Sequence, residues 1–168
     1  MNIKNTTIFL CLLSALFVFL FSQESKDYTS PTIGLLKYVP AGTFQRDNNP
    51  ANTSTVSEFR MSQTEITEEQ FARVMGQDLG DTNSSIRKQK PVQNVSWYQA
   101  LVFCNRLSIL EGLEPVYRIG GSSDPTVWGA IPNDDNTTWS AVVANWSAEG
   151  YRLPTEMEWM WAAMGAVN

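Results

Sequence analysis

Histidine is absent from the 168 residues. Without an imidazole there is no Ser-His-Asp triad, no Cys-His pair and no imidazole metal site. Cysteine is nearly as scarce, with two residues. Cys11 lies inside an apolar N-terminal run, so Cys104 stands alone in the rest of the chain and an intramolecular disulfide is excluded there. Positive charge is thin as well: 12 Lys and Arg face 17 Asp and Glu. No basic stripe is available for a nucleic-acid partner. What the chain does have is core material, since 43% of it is hydrophobic and 11% aromatic, a composition that suits one globular domain.

Lys4 precedes Ile8–Phe21, which is apolar except for Ser14 and is followed by Ser22, Gln23 and Glu24. A spanning helix needs roughly 20 apolar residues, so this shorter run reads as the h-region of an export signal over residues 1–22, with mature protein beginning near Gln23. No A-x-A site closes the run, so an uncleaved membrane anchor is the alternative. A lipid-bearing cysteine would stand at the end of the apolar run, whereas Cys11 sits in its middle. Removing Lys4 with the signal leaves 11 basic residues against 17 acidic ones, a net charge of −6. The expected location is outside the cytoplasm: periplasm, cell surface or medium.

Residues 23–34 are polar and contain breakers, which suits a linker, and the domain is expected over 35–168. LLKYVPAGTF predicts a strand, a turn at Pro40 to Gly42 and a second strand. QRDNNPANTST reads as a polar loop, and VSEFRMS as a short strand with Val56, Phe59 and Met61 available for burial. Three helix starts follow. Thr67 to Gln70, Ser96 to Gln99 and Thr155 to Glu158 each fit a capping box, in which a hydroxyl satisfies an orphan amide and Glu or Gln reaches back. The first helix offers Phe71, Val74 and Met75 and stops at Gly76. The second aligns Trp97, Ala100, Leu101, Cys104 and Leu107, with Gly112 as its stop. The third groups Trp159, Ala162 and Ala163 ahead of Gly165. Its apolar surface requires burial, each large side chain being worth roughly 1.5–3 kcal/mol. Between the second and third helices, Val116 to Ile119 predicts a strand, Gly120-Gly121 a turn, and Trp128, Trp139 and Trp146 are expected to pin the long connection to the core, with ligand stacking as the alternative.

Few of the reactive residue types read as chemistry. Cys104 falls on an apolar helix face, where a thiol acts as a small hydrophobe. Asn133, Asp134, Asp135 and Asn136 offer oxygen ligands for calcium but lack the spaced carboxylates and closing Glu of a calcium loop, so a solvated turn is expected. Glu156 and Glu158 complement a helix N-terminus, and Glu158 already has a capping task. Arg152, beside Leu153 and Pro154, suits a structural role tying carbonyls together. The sequons at Asn5, Asn52, Asn83, Asn94, Asn136 and Asn145 support no inference about glycosylation in a chain this rich in Asn, Ser and Thr.

YVPAGTF, FRMSQTEITEEQFARVMG, KPVQNVSWYQALVFCNRLS and GYRLPTEMEWMWAAMGA occur in an order that resembles the formylglycine-generating enzyme, or sulfatase-modifying factor, family. The resemblance covers about residues 36–166. It implies an α+β fold, the family's variant of the C-type lectin-like domain. The EGLEPVYRIGG stretch resembles the version in bacterial, spirochaete-like members. In the family the GYRLPTE.EW helix lies near the middle of the domain, so the resemblance implies that this chain corresponds to the N-terminal half. The family's GN.WEW and RGGSW segments, its active-site cysteine pair and its copper and calcium sites belong to the other half, and no position here matches them. Cys104 matches a middle-helix position outside the catalytic pair. The chain departs from the pattern at Met160, where Glu is common, at Met164, where Arg is common, and at Ala166, which replaces Gly.

No catalytic, cofactor-binding or metal-ligating residue is therefore expected within these 168 residues, and no copper or calcium bound by them. Two roles then stand: an exported sulfatase-modifying-factor-like domain that is catalytically inactive over this span, or a lectin-like module at the cell surface or in the periplasm that binds a protein or peptide. A gene fragment without independent function is the third. No nucleic-acid partner is expected, and membrane contact only through the N-terminal segment.

Overall fold

The computed structural model describes residues 26–77 and 89–167. The N-terminal apolar run and Asn83 lie outside them. Among the described residues, seven short strands, β1 (Tyr28–Ser30), β2 (Gly34–Val39), β3 (Gly42–Gln45), β4 (Thr53–Val56), β5 (Phe59–Ser62), β6 (Tyr117–Arg118) and β7 (Val143–Ala144), accompany four α-helices, α1 (Glu68–Met75), α2 (Trp97–Leu110), α3 (Thr137–Ser140) and α4 (Glu156–Ala163). All sheet pairing among them is antiparallel: β1-β2-β5, β3-β4 and β6-β7. This is the expected α+β class.

Two sequence expectations about strands change. Tyr28 to Ser30, read as linker, pairs with Leu36 to Gly34 and so belongs to the sheet. The polar loop gives up its end to β4, which pairs Thr53 with Gln45 and Val56 with Gly42. The VSEFRMS strand therefore breaks between Val56 and Phe59, its two parts serving different sheets.

β2 lies between two cores because successive side chains of a strand point to opposite faces. Leu36 joins a large cluster built on α1 and α2, whereas Val39, three residues on, joins Phe44, Val56 and Trp161 in a smaller one. α2 is the central element. Leu101, Val102, Cys104, Asn105, Leu107 and Ser108 are all buried, so it packs nearly all round, although Trp97 at its start is exposed. Two polar side chains survive inside this core because each is satisfied. Asn105 Nδ2 donates to the carbonyls of Tyr117 (2.7 Å) and Ser123 (2.8 Å), and its Oδ1 accepts from Tyr117 N at 3.0 Å. Ser108 Oγ donates to Cys104 O and accepts from Tyr151 N, both at 2.8 Å.

All three capping boxes form, with the hydroxyls of Thr67, Ser96 and Thr155 and the side chains of Gln70, Gln99 and Glu158 bonding reciprocally. α1 stops at Gly76 in the left-handed region. α2 ends in a Schellman motif, where Leu113 N donates to Ser108 O and Gly112 N to Ile109 O.

In α4 the buried tryptophan is Trp161, at 2% exposure, while Trp159 is 60% exposed. This corrects the grouping of Trp159 with Ala162 and Ala163. Trp161 stacks on Phe44 at 5.6 Å, donates from Nε1 to Pro40 O at 2.8 Å, and fills the space left by the missing side chain of Gly42. Of the three loop tryptophans, Trp128 and Trp139 are buried and meet edge to face at 5.7 Å, but Trp146 is 65% exposed and pins nothing to the core. Gly120 and Gly121 turn the chain between Ile119 and Ser122 with positive φ, as expected.

Candidate functional site

A groove of about 730 Å³ runs between β5, α2 and the segment 148–154. Its apolar lining includes Phe59 and Met61 of β5, Phe103 and Leu107 of α2, and Ile66 and Leu153. The 148–154 segment can lie this close to α2 because residue 150 is glycine. A Cβ there would overlap the Glu114 carbonyl oxygen and approach Ser108 Oγ to 2.6 Å.

One end of the groove is tied by Glu111. Its carboxylate accepts from Ser30 Oγ and Tyr151 Oη, both at 2.6 Å, and more weakly from Tyr28 Oη at 3.5 Å. Burial raises the Glu111 pKa, but the donors outweigh it and hold the carboxyl below the usual carboxylate range. Burial, and then the bond to Glu111, push the Tyr151 hydroxyl well above its ordinary value. β1, the end of α2 and the 148–154 segment therefore meet at one carboxylate. None of this is legible in the sequence, since Tyr28 and Ser30, Glu111, and Tyr151 lie in three distant stretches of the chain.

Arg152, the next residue after Tyr151, also lines the groove. Its guanidinium grips Glu158 with two parallel bonds, Nη1 to Oε2 at 2.7 Å and Nη2 to Oε1 at 2.6 Å, and Nη1 reaches Leu153 O at 3.2 Å. Glu158 Oε2 also accepts from Thr155 N at 2.8 Å. The expected structural role of Arg152 is met mainly through a carboxylate rather than several carbonyls. The bond from Arg152 holds the Glu158 pKa down against partial burial, and the same bond raises that of Arg152. A carboxylate so engaged is a poor general acid or base, and Glu156 beside it is exposed. The outer face of the guanidinium lies 5.2 Å from the ring centroid of exposed Trp146.

Cys104 lies at the groove floor, 6% exposed. Burial pushes its thiol up to about 12, against a weaker opposing influence from Arg152. Essentially no thiolate exists there at neutral pH, and the thiolate is the nucleophile and the metal ligand. Copper, which the family resemblance places outside this span, does not fit here: Cys104 is the one thiol among the described residues, and burial keeps it in the thiol form. Calcium does not fit at Asn133 to Asn136 either. Asp134 and Asp135 are exposed, and Asn136 Oδ1 is committed to Trp139 N as the cap of α3. Among the described residues, no three His, Cys, Asp or Glu side chains converge, and no helix is long and apolar enough to cross a membrane.

The profile of the sulfatase-modifying factor enzyme 1-like domain matches residues 24–168. The chain belongs to that family. Chaperone protein LppX of Paenibacillus barcinonensis is 36% identical to it over 134 residues, which are 77% of this chain and 45% of LppX. Treponema denticola variable protein 1 superposes with a TM-score of 0.67 and 34% identity, over 85% of this chain and 57% of that one. The structure of CarF gives 0.57 and 26%, over 76% and 56%. The sulfatase-modifying-factor fold, a variant of the C-type lectin-like domain, is therefore the fold of this chain, and the chain spans about half the length of the relatives it matches. The match from residue 24 agrees with the place of β1 in the sheet.

Proposed function

We propose that this sulfatase-modifying-factor domain is an exported recognition module for polypeptide, without formylglycine-forming activity over the span described. The observation that carries the proposal is the apolar groove between β5, α2 and the segment 148–154, beside which Cys104 is the one thiol among the described residues, so that no thiolate pair forms over this span. The name of LppX as a chaperone supports a binding role for the scaffold in a relative. Export rests on the run Ile8–Phe21 and its short length. Mixed charge and the absence of a basic stripe argue against nucleic acid.

The test is an assay of the purified chain with copper, oxygen and a Cys-x-Pro-x-Arg peptide, read by mass spectrometry. No aldehyde product is expected. In parallel, thiol labelling of Cys104 at pH 8 is expected to be at least about a hundredfold slower in buffer than in denaturant, as a buried thiol with this pKa requires. Peptide oxidation abolished by Cys104→Ser, or equal labelling rates in both solvents, would show that the thiol has been misjudged.

A further inference from the structure

Methionine is spread unevenly between the two cores. Among the described residues, the larger core buries a single methionine, Met75, within its leucine, valine and aromatic side chains. The smaller core buries none, yet Met61, Met157 and Met160 pack against it as half-buried side chains. Burial of apolar surface does not require sulfur there, since leucine replaces methionine at nearly constant volume. Met157 shows what its sulfur does. From the first turn of α4 the thioether accepts a hydrogen bond from Ser54 Oγ at 3.1 Å, across 103 residues of chain. Ser54 lies on β4 directly opposite Phe44 of β3, and Phe44 carries the stacked ring of Trp161. Opposite residues of an antiparallel pair point to the same face. The sulfur of Met157 therefore fastens α4 to the β3-β4 hairpin beside the stack that fills the small core.

We infer that Met157 is a modification site, whose sulfur takes an oxygen atom from a peroxide and whose sulfoxide frees α4 from the β3-β4 hairpin. With hydrogen peroxide, a sulfur lone pair attacks one oxygen, the O–O bond breaks and an S–O bond forms. The departing hydroxide takes the proton of the delivered oxygen and leaves as water, so sulfur is oxidised by two electrons and the peroxide reduced by two. Half-burial leaves the side chain open to so small an oxidant while most of it remains packed. After the transfer the better acceptor is the oxygen rather than the sulfur, and the bond from Ser54 moves off the line that ties α4 to β4. A group that was apolar and half-buried also becomes polar and favours hydration over packing. The sulfur is not a family requirement, since the GYRLPTE.EW pattern leaves position 157 open. The inference needs neither export nor polypeptide binding, so it stands apart from the function proposed above.

The experiment treats the full 168-residue chain with hydrogen peroxide in native buffer and follows it by peptide mass spectrometry and amide hydrogen exchange. Met164, 45% exposed at the end of α4, and buried Met75 set the fast and slow limits of oxidation. Met157 is expected to gain one oxygen while Met75 stays unmodified. Exchange in β3, β4 and α4 is then expected to quicken by about tenfold or more, with α2 unchanged, because the small core opens apart from the large one. Met157→Leu keeps the packing volume and is expected to remove most of the peroxide effect, whereas Met164→Leu leaves it intact. Enzymatic reduction of both sulfoxide epimers should return the original rates. Met157 left unmodified until α2 also loses protection, a sulfoxide at Met157 that leaves exchange in β3, β4 and α4 unaltered, or a peroxide effect of the same size in Met157→Leu would each overturn the inference. Should Met157→Leu fail to fold, Met160→Leu decides in its place: the peroxide effect must persist there, and its loss would overturn the assignment to Met157.

Discussion

Glu158 collects three hydrogen bonds on two oxygens, two from Arg152 and one from Thr155 N. Both side chains are largely shielded, at 11% and 25% exposure. Removing one partner of such a pair strands the other and also weakens the start of α4. Glu158→Gln is therefore expected to cost about 3 kcal/mol in urea denaturation. Arg152→Lys should lose much of the same energy, because an ammonium cannot supply the two-pronged grip. The pH dependence has a definite sign. A carboxyl held below its unfolded value binds fewer protons in the native state, so its contribution is complete above the ordinary glutamate range, near pH 4.3–4.5, and is lost as pH falls below it. The wild-type chain should lose stability on acidification through that window. Glu158→Gln should lose less, with Glu111 accounting for part of what remains; identical slopes for the two proteins would refute the assignment.

Element boundaries were most legible where a local device sets them. The three capping boxes and the glycine stops at Gly76 and Gly112 act within a few residues, and all appear as expected. β4 was not legible because Thr53 to Val56 buries Val56 alone and takes its shape from distant β3. α4 hid its orientation for the opposite reason. Glu156 to Ala163 is apolar on too many sides for periodicity to choose between Trp159 and Trp161, and the choice falls to Gly42, more than a hundred residues earlier. The groove needed a long-range fact as well, the close approach of 148–154. Gly150 tests that approach. Gly150→Ala drives a methyl into the Glu114 carbonyl, just beyond α2, and into the buried Ser108 hydroxyl near its end, and should cost about 2–3 kcal/mol as an overpacked site does. Gly112→Ala meets open space and carries only the strain of its positive φ, about 1–2 kcal/mol. Equal denaturation midpoints for Gly150→Ala and the wild type would mean that 148–154 does not lie against α2.

At the scale of the molecule, the two cores share β2 but differ greatly in size. The larger joins α1, α2, β6 and the buried pair Trp128 and Trp139, whereas the smaller rests on Val39, Phe44, Val56 and Trp161. A unit with so few buried side chains should open at lower free energy than the helical core. Trp161 holds it together, by stacking on Phe44, bonding Pro40 O and occupying the notch at Gly42. Trp161→Ala should remove about 3–5 kcal/mol locally. The consequence is visible by amide hydrogen exchange: β3, β4 and α4 should approach unprotected rates while α2 keeps most of its protection. Leu101→Ala, at a site with 0% exposure in the middle of α2, should instead accelerate the most protected amides of α2, because that side chain belongs to the core on which global stability depends. If Trp161→Ala lowered protection in α2 by as much as in β3 and β4, the cores would unfold as one unit, and β2 would be transmitting cooperativity rather than merely sitting between them.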